Sequence, residues 1–284
     1  MQRIYTKMFQ SYLTNGKQLS FDKAQVMAII NLTPDSFYDG GKFTSLAYIL
    51  KEVEVKIRAG ATIIDIGAMS SKPNAIEITE TEEKNRLQHT LKEIRTCFPD
   101  IFISVDTYRS QVADMVIDMG ADIINDISGG DMDPNMIDVV AKHQVPYVMM
   151  HMKGTPQTMQ DAPQYTDVVD EVFQFLKAKI EMCHSKGFNK LILDPGFGFG
   201  KSVVHNYQLL KKIAVFTNLG YPILAGLSRK TMINNVIHTK PESALNGTTV
   251  LNTIALQQGA KLLRVHDVAE ASQAIDLLEF YNTI

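Results

Sequence analysis

Cysteine is scarce in this chain. Only Cys97 and Cys183 occur in 284 residues. Each falls inside a helical pattern and the two make no metal-ligand spacing. Secreted disulfide frameworks use more cysteines than this, so both are read as reduced thiols and the protein as cytoplasmic. No apolar run reaches the roughly 18 residues that a membrane span needs. The start of the chain, Met1-Gln-Arg-Ile-Tyr-Thr-Lys7, lacks the apolar stretch of a secretory signal. Positive charge is not in surplus either. A formal net charge of −3 argues against a nucleic-acid partner while leaving room for a local basic pocket. A Gly-x-Gly-x-x-Gly turn after the first strand is also missing, which lowers the case for a dinucleotide-binding open sheet.

What is present is a repeating plan. Residues are 45% hydrophobic, enough for a sizeable core. Asn15-Gly16 lies between two short β-prone segments, so residues 1–25 read as a hairpin-like extension capping the main domain. From Val26 onward the chain alternates. Strands are expected at Val26–Asn31, Thr62–Ile66, Ile101–Asp106, Asp122–Asp126, Pro146–His151, Leu191–Asp194, Pro222–Leu227 and Lys261–His266. Helices are expected at Leu46–Ala59, Glu80–Cys97, Ser110–Met119, Asn135–Lys142, Asp167–Lys186, His205–Phe216, Glu242–Gln258 and Val268–Tyr281. Eight strand–helix units predict an α/β fold, a (β/α)8 TIM barrel over residues 26–284. An open doubly wound sheet is the alternative.

In such a barrel the C-terminal ends of the strands carry the chemistry. Here those ends hold Asn31, Asp65, Asp106, Asn125, Asp126, His151, Asp194, Ser228-Arg229-Lys230, Arg264 and His266. Strands often end where polarity begins, and Asp or Asn often caps the next helix. That accounts for single positions but not for the mixture of acids, amides and bases. Asp106, Asp194 and Asn125 suit a flat heterocycle with several N–H donors, because a carboxylate accepts two parallel bonds. Lys230, Arg264, His266 and Asn31 suit an anion such as phosphate or diphosphate. Two motifs are discounted. Gly196-Phe-Gly-Phe-Gly200-Lys201-Ser202 has Pro195 where a phosphate loop needs glycine. His151-Met152 has no second histidine at metal spacing.

Several stretches together resemble one family. These are Asn31-Leu-Thr-Pro-Asp-Ser-Phe37, Ser104-Val-Asp-Thr107, Ile124-Asn-Asp-Ile127, Asp194-Pro-Gly-Phe-Gly-Phe-Gly-Lys201, Ser228-Arg-Lys230 and Arg264-Val-His-Asp267. They are similar, in order and from about Val26 to the C-terminus, to dihydropteroate synthases. The resemblance implies a (β/α)8 barrel, a Mg2+ cofactor, and the joining of a dihydropterin diphosphate to 4-aminobenzoate in folate biosynthesis. It implies pterin contacts for Asp106, Asn125, Asp194, Lys230 and Arg264. It implies diphosphate contacts for Asn31, Arg264 and His266, with Asn31 also beside the metal. It implies aminobenzoate or mobile-loop roles for Thr33, Pro34, Asp35, Phe37, Ser71, Lys72, Pro73, Phe199 and Ser228. It also implies a homodimer and a sulfonamide target.

The second loop departs from the family pattern. Where Glu-Ser-Thr-Arg-Pro-Gly is usual, this chain has Met69-Ser70-Ser71-Lys72-Pro73-Asn74. Lys72 keeps the charge but not the two-pronged guanidinium fork, so altered sulfonamide affinity is expected. Two rival readings share the barrel: a corrinoid-dependent pterin methyltransferase and a silent pterin-binding paralogue. A methyltransferase has no need of a diphosphate pocket, and Lys230, Arg264 and His266 favour the synthase. The intact set of catalytic positions argues against the paralogue.

Overall fold

A computed structural model describes residues 11–32, 46–69, 77–159 and 163–284. The expected alternation is realised in it. After a hairpin of β1 (Ser11–Thr14) and β2 (Lys17–Ser20) come β3 (Gln25–Asn31), α1 (Leu46–Arg58), β4 (Ile63–Gly67), α2 (Glu80–Cys97), β5 (Phe102–Asp106) and α3 (Ser110–Asp118). The chain continues through β6 (Ile123–Asp126), α4 (Met136–His143), β7 (Tyr147–Met150), α5 (Val168–Ser185), β8 (Leu191–Asp194), α6 (Val203–Lys211) and α7 (Ile213–Thr217). It ends with β9 (Leu224–Ala225), α8 (Thr231–Ile237), a 3-10 turn at Pro241–Ser243, α9 (Leu245–Gln257), β10 (Leu262–Val265) and α10 (Val268–Tyr281). Strands β3 to β10 are all parallel, in the order β8-β7-β6-β5-β4-β3-β10-β9. The two edges meet through a parallel bridge between Leu193 and Ile223, which closes the barrel.

The strands are apolar on both faces because helices cover the outside and neighbouring strands line the inside. Outward residues such as Val26, Ala28, Ile30, Ile64, Ile66, Ile103 and Val105 pack under the helices. Inward residues form layers. The lowest layer is apolar: Met27, Ile63, Ile123, Val148, Ile192, Leu224 and Leu262. Above it the inward positions turn polar. Asp65 sits level with Ser104, and Asn31, Gly67, Asp106 and Asn125 form one row across four strands.

The hairpin closes the N-terminal end of the barrel. Asn15 and Gly16 both take positive φ, 46° and 73°, as a two-residue turn matched to the strand twist requires. Tyr12 and Leu19 then pack on the lowest layer. The Tyr12 hydroxyl donates to the Leu191 carbonyl, and Thr14 Oγ1 donates to the Asp122 carbonyl at 2.9 Å. Asp122 is fully buried and is paired with Lys17 and Arg95.

Three local differences from the sequence reading have physical causes. The seventh barrel strand is two residues long, not the six of Pro222–Leu227. Gly226 breaks the ladder, as glycine in a strand does, and a turn follows in which Lys230 N donates to Leu227 O at 3.2 Å. The helix expected at His205–Phe216 starts earlier, because Ser202 forms a capping box with His205, and it breaks at Lys212. Helix α8 was not anticipated. Of its seven residues, Thr-Met-Ile-Asn-Asn-Val-Ile, all but Met232 are weak helix formers, and burial of Met232 and Ile233 overrides that preference.

Candidate active site

Arg264 is the third residue of β10 and points into the barrel. Its Nε donates to Asp65 Oδ2 at 2.7 Å and its Nη2 to Asp106 Oδ2 at 2.7 Å. Asp65 has 0% exposure. Besides Arg264 it accepts from Ser104 Oγ at 2.6 Å and from Asn125 Nδ2 at 3.1 Å. One buried carboxylate therefore joins four strands and fixes two functional side chains. Because Nδ2 of Asn125 is committed to Asp65, its Oδ1 and remaining N–H are left for a ligand. Burial pushes the Asp106 carboxyl up from its usual range, with the Arg264 cation opposing and Asp65 reinforcing. Asp65 and Asp106 keep Arg264 firmly charged against the cost of its burial.

Asp194, at the exit of β8, accepts from the Gly196 amide at 2.7 Å through Oδ1. Among the described residues no donor reaches its other oxygen. Burial raises the Asp194 carboxyl, and Lys230, the Gly196 amide, Lys201 and Arg264 pull it back. The chain then makes a tight turn with φ of 72°, 84° and 65° at Gly196, Gly198 and Gly200. Glycine is required there on two counts. The left-handed region penalises other residues, and a Cβ on Gly196 would stand 1.9 Å from the His151 carbonyl oxygen. Lys230 reaches back over this turn. Its Nζ donates to the Phe197 carbonyl and stands 4.8 Å from the centre of the Phe199 ring, a cation–π contact. Burial lowers the Lys230 ammonium to about 8, with Asp194 opposing and Arg264 assisting.

A third group lies beside these. Ser228 Oγ and His266 Nδ1 are 3.0 Å apart, and His266 N donates to Ser228 Oγ at 3.2 Å. His266 is an exposed residue at the mouth, although its ring is hydrogen-bonded to Ser228 and partly desolvated by its neighbours. That desolvation, with the Arg264 and Lys56 cations, holds the imidazole down at about 4, so it is neutral at pH 7. Asn31 ends β3 with its side chain exposed at the barrel mouth. Arg229 turns away from the mouth. It takes φ 56° and grips Asp267 with Nε at 2.9 Å and Nη2 at 2.6 Å.

The predicted residues thus form three linked sets. Asn125 and Arg264 share Asp65, and Asp106 joins them through Arg264. Asp194, Lys230 and Phe199 share the glycine turn. Ser228 and His266 bond to each other. Thr33, Pro34, Asp35, Phe37, Ser71, Lys72 and Pro73 lie outside the described residues. Two contributors had no assigned role from sequence. Asp65 was visible only as one more polar strand residue, and Lys201 as the end of a discounted phosphate loop and of the Asp194–Lys201 stretch. An apolar wall was also missed, formed by Tyr108, Ile127, Met150, Met152 and Met159 around Phe199. Its signal is position: Tyr108, Ile127 and Met152 each follow a strand by one or two residues.

Chemically, the mouth offers acceptors and an amide for the edge of a heterocycle, an apolar wall for its face, and cations on one side for an anion. Four of its charged groups, Asp106, Asp194, Lys230 and Arg264, come from four separate strand exits and shift one another's titration.

Residues 27–266 match the profile of the family described as pterin binding enzyme. Over 263 residues the chain is 46% identical to dihydropteroate synthase of Haemophilus influenzae, covering 92% of this chain and 95% of that one. It superposes on the Yersinia pestis dihydropteroate synthase in a sulfonamide drug complex with a TM-score of 0.91 and 38% identity, covering 96% of this chain and 100% of that chain. It superposes on the Xanthomonas albilineans dihydropteroate synthase in complex with 7,8-dihydropteroate with a TM-score of 0.87 and 35% identity, covering 96% and 99%. A profile match across the whole barrel, and shared identity over nearly the full length of these relatives, mean that the chain belongs to the dihydropteroate synthases of the pterin-binding enzyme family.

Proposed function

We propose how the barrel mouth divides the work of the dihydropteroate synthase reaction. In that reaction (7,8-dihydropterin-6-yl)methyl diphosphate and 4-aminobenzoate give 7,8-dihydropteroate and diphosphate, a step of folate biosynthesis. The observation that carries the assignment is the mutual proximity of Asp106, Asp194, Lys230 and Arg264. The open oxygen of Asp194 accepts from the N–H edge of the pterin, and Asp106 and Asn125 complete the ring contacts. Ile127 and Met150 flank the ring. Lys230 has three N–H donors and gives one to Phe197, which leaves two for the carbonyl and ring-nitrogen side of the pterin. Arg264 spends Nε and Nη2 on carboxylates and keeps Nη1 for the ligand.

Diphosphate leaves when its developing charge is met by fixed cations, which is electrostatic stabilisation of the departing group. Arg264, with Asn31 and the neutral His266 as hydrogen-bonding partners, takes that part. The C–O bond to diphosphate breaks, and the electron-rich pterin spreads the positive charge of its methylene. The amine of 4-aminobenzoate then forms the C–N bond and releases one proton to diphosphate or water. No protein nucleophile is needed. Phe199 and Ser228, with the segments around Thr33-Pro34-Asp35-Phe37 and Ser71-Lys72-Pro73, are assigned to the aminobenzoate side.

The donor set fits Mg2+ as the cofactor. Among the described residues no three His, Cys, Asp or Glu side chains cluster to hold a metal, and Asn31 offers one neutral oxygen at the mouth. Mg2+ commonly keeps several waters and takes its other ligands from substrate phosphates rather than from a protein cage. When bound, it neutralises charge on the departing diphosphate.

The reading extends to a sulfonamide-sensitive, cytoplasmic homodimer. Among the described residues no helix is long and apolar enough to cross a membrane. Leu277, Phe280 and Tyr281 on α10 are 72%, 69% and 66% exposed, an apolar face that a second copy would cover. Sedimentation of Leu277→Asp at half the wild-type mass supports that interface, and an unchanged mass rejects it. The catalytic reading is tested with purified protein, the pterin diphosphate, 4-aminobenzoate and Mg2+. Dihydropteroate and diphosphate should appear in equal amounts, and Lys230→Ala should weaken pterin capture without loss of fold. Pterin binding with no dihydropteroate formed would overturn it.

A further inference from the structure

Lys201 is 3% exposed, and among the described residues no carboxylate touches it. Its Nζ lies 2.9 Å from His151 Nδ1, 3.2 Å from the His151 carbonyl, 2.9 Å from the Gly196 carbonyl and 2.9 Å from the Phe199 carbonyl. Three carbonyl oxygens only accept, so bonding all three to Nζ takes three N–H donors. An ammonium has three and a neutral amine has two. Burial, with Lys230 and Lys153, pulls Lys201 toward the neutral form, and Asp194 opposes. The ammonium is favoured by geometry: three carbonyl oxygens turned toward Nζ surround it with the negative ends of three dipoles, although the Gly196 carbonyl also accepts from the Phe199 amide at 3.2 Å. His151 is neutral, its imidazole held down at about 3 by burial and then by Lys201, so Nδ1 can share the fourth contact.

The three carbonyls belong to two separate pieces of chain. His151 follows β7, while Gly196 and Phe199 flank Phe197 and Gly198 in the glycine turn. The same turn sends the Gly196 amide to Asp194 and the Phe197 carbonyl to Lys230. We propose that Lys201 is a positioning residue for pterin recognition, its buried ammonium stapling the exit of β7 to the 196–200 turn and placing a fixed positive charge behind Asp194. The inference rests on the synthase reading above. It assigns to Lys201 the orientation of both Asp194 and Lys230, neither of which it touches.

The test compares Lys201→Met, which keeps the volume and removes all donors, with wild type. The KM for the pterin diphosphate should rise tenfold or more, and the KM for 4-aminobenzoate should stay within twofold. If wild type makes no dihydropteroate, the synthase reading falls. If wild type turns over and Lys201→Met is folded with its pterin KM within twofold, or with both KM values raised alike, only this inference falls. Should Lys201→Met not fold, the wild-type protein labelled with 15N-lysine decides. A slowly exchanging ammonium resonance that shifts when pterin saturates the site supports the proposal. Absence of a protected ammonium, or a resonance unmoved by pterin, overturns it.

Discussion

Asp65→Asn tests the hub of the site more sharply than removal of any ligand-contacting group. The wild-type carboxylate accepts from Ser104 at 2.6 Å through Oδ1, and from Arg264 at 2.7 Å and Asn125 at 3.1 Å through Oδ2. An amide can keep all three contacts in one orientation. Its oxygen must face Arg264 and Asn125, and its NH2 must face Ser104, whose hydroxyl reverses and accepts. Geometry is then retained and only the charge is lost. A hydrogen bond involving an ion is worth about 1.5–3 kcal/mol and a neutral one about 0.5–1.5. Arg264 also keeps Asp106, so it is never an unpaired buried charge. Asp65→Asn should therefore cost about 2 kcal/mol. Asp65→Ala leaves the Arg264 Nε, the Asn125 amide and the Ser104 hydroxyl unmet. It should cost more, about 3–5 kcal/mol, because three buried donors lose their acceptor at once. Urea unfolding of both variants measures the pair of values, and kcat/KM for the pterin diphosphate should fall about tenfold or more in each. Equal losses for Asn and Ala would refute the hydroxyl reversal. A loss below about 0.5 kcal/mol in both would refute the hub itself.

Three further outcomes follow from the same geometry. In Asp194→Asn the amide oxygen must stay with the Gly196 N–H, which turns the NH2 toward the pterin donors. Pterin affinity should fall about 10- to 100-fold in a calorimetric titration, and unchanged affinity rejects the role. His151 is depressed from 6.5 to about 3, so below about pH 6.5 the unfolded chain binds a proton that the folded chain does not. Stability is lost as pH falls through that window, about 2 kcal/mol between pH 7 and 5. The slope of urea stability against pH should flatten by that amount in His151→Asn; parallel slopes count against it. Gly196→Ala meets both a φ of 72° and the His151 carbonyl at 1.9 Å. It should cost more than about 3 kcal/mol and weaken pterin binding, and a loss under 1 kcal/mol would show that the turn yields.

The barrel was legible because parallel strands buried on both faces write themselves as short apolar runs, and glycine closes many of the helices between them. The site was legible where a motif is contiguous, as in Asp194 to Lys201 or Ser228 to Lys230. Asp65 was not, because its meaning depends on facing inward between Ile64 and Ile66 and on an arginine 199 positions away. Lys201 was left without a role for a related reason. A lysine after a glycine run reads as a phosphate hook, and only the positive φ values of that run turn it inward. Arg229 shows the converse. It sits inside a functional motif, yet a left-handed backbone turns it to Asp267 and makes it a strut for the loop beside Lys230. Helix α8 stayed hidden because its local preference opposes its packing.

The hairpin at the foot of the barrel has a consequence for the order in which the chain becomes a protein. Tyr12 and Leu19 are among the first described residues to leave the ribosome, yet their partners include Leu191, Ile192, Leu224 and Leu262. Tyr12 and Leu191 are separated by 179 positions. At about 5–20 residues per second, roughly 10–40 s pass between their syntheses. Throughout that interval the seat of these two side chains lacks the part that β8, β9 and β10 supply. The floor of the barrel is therefore complete only once Leu262 has been made, although the hairpin that closes it comes at the other end of the chain.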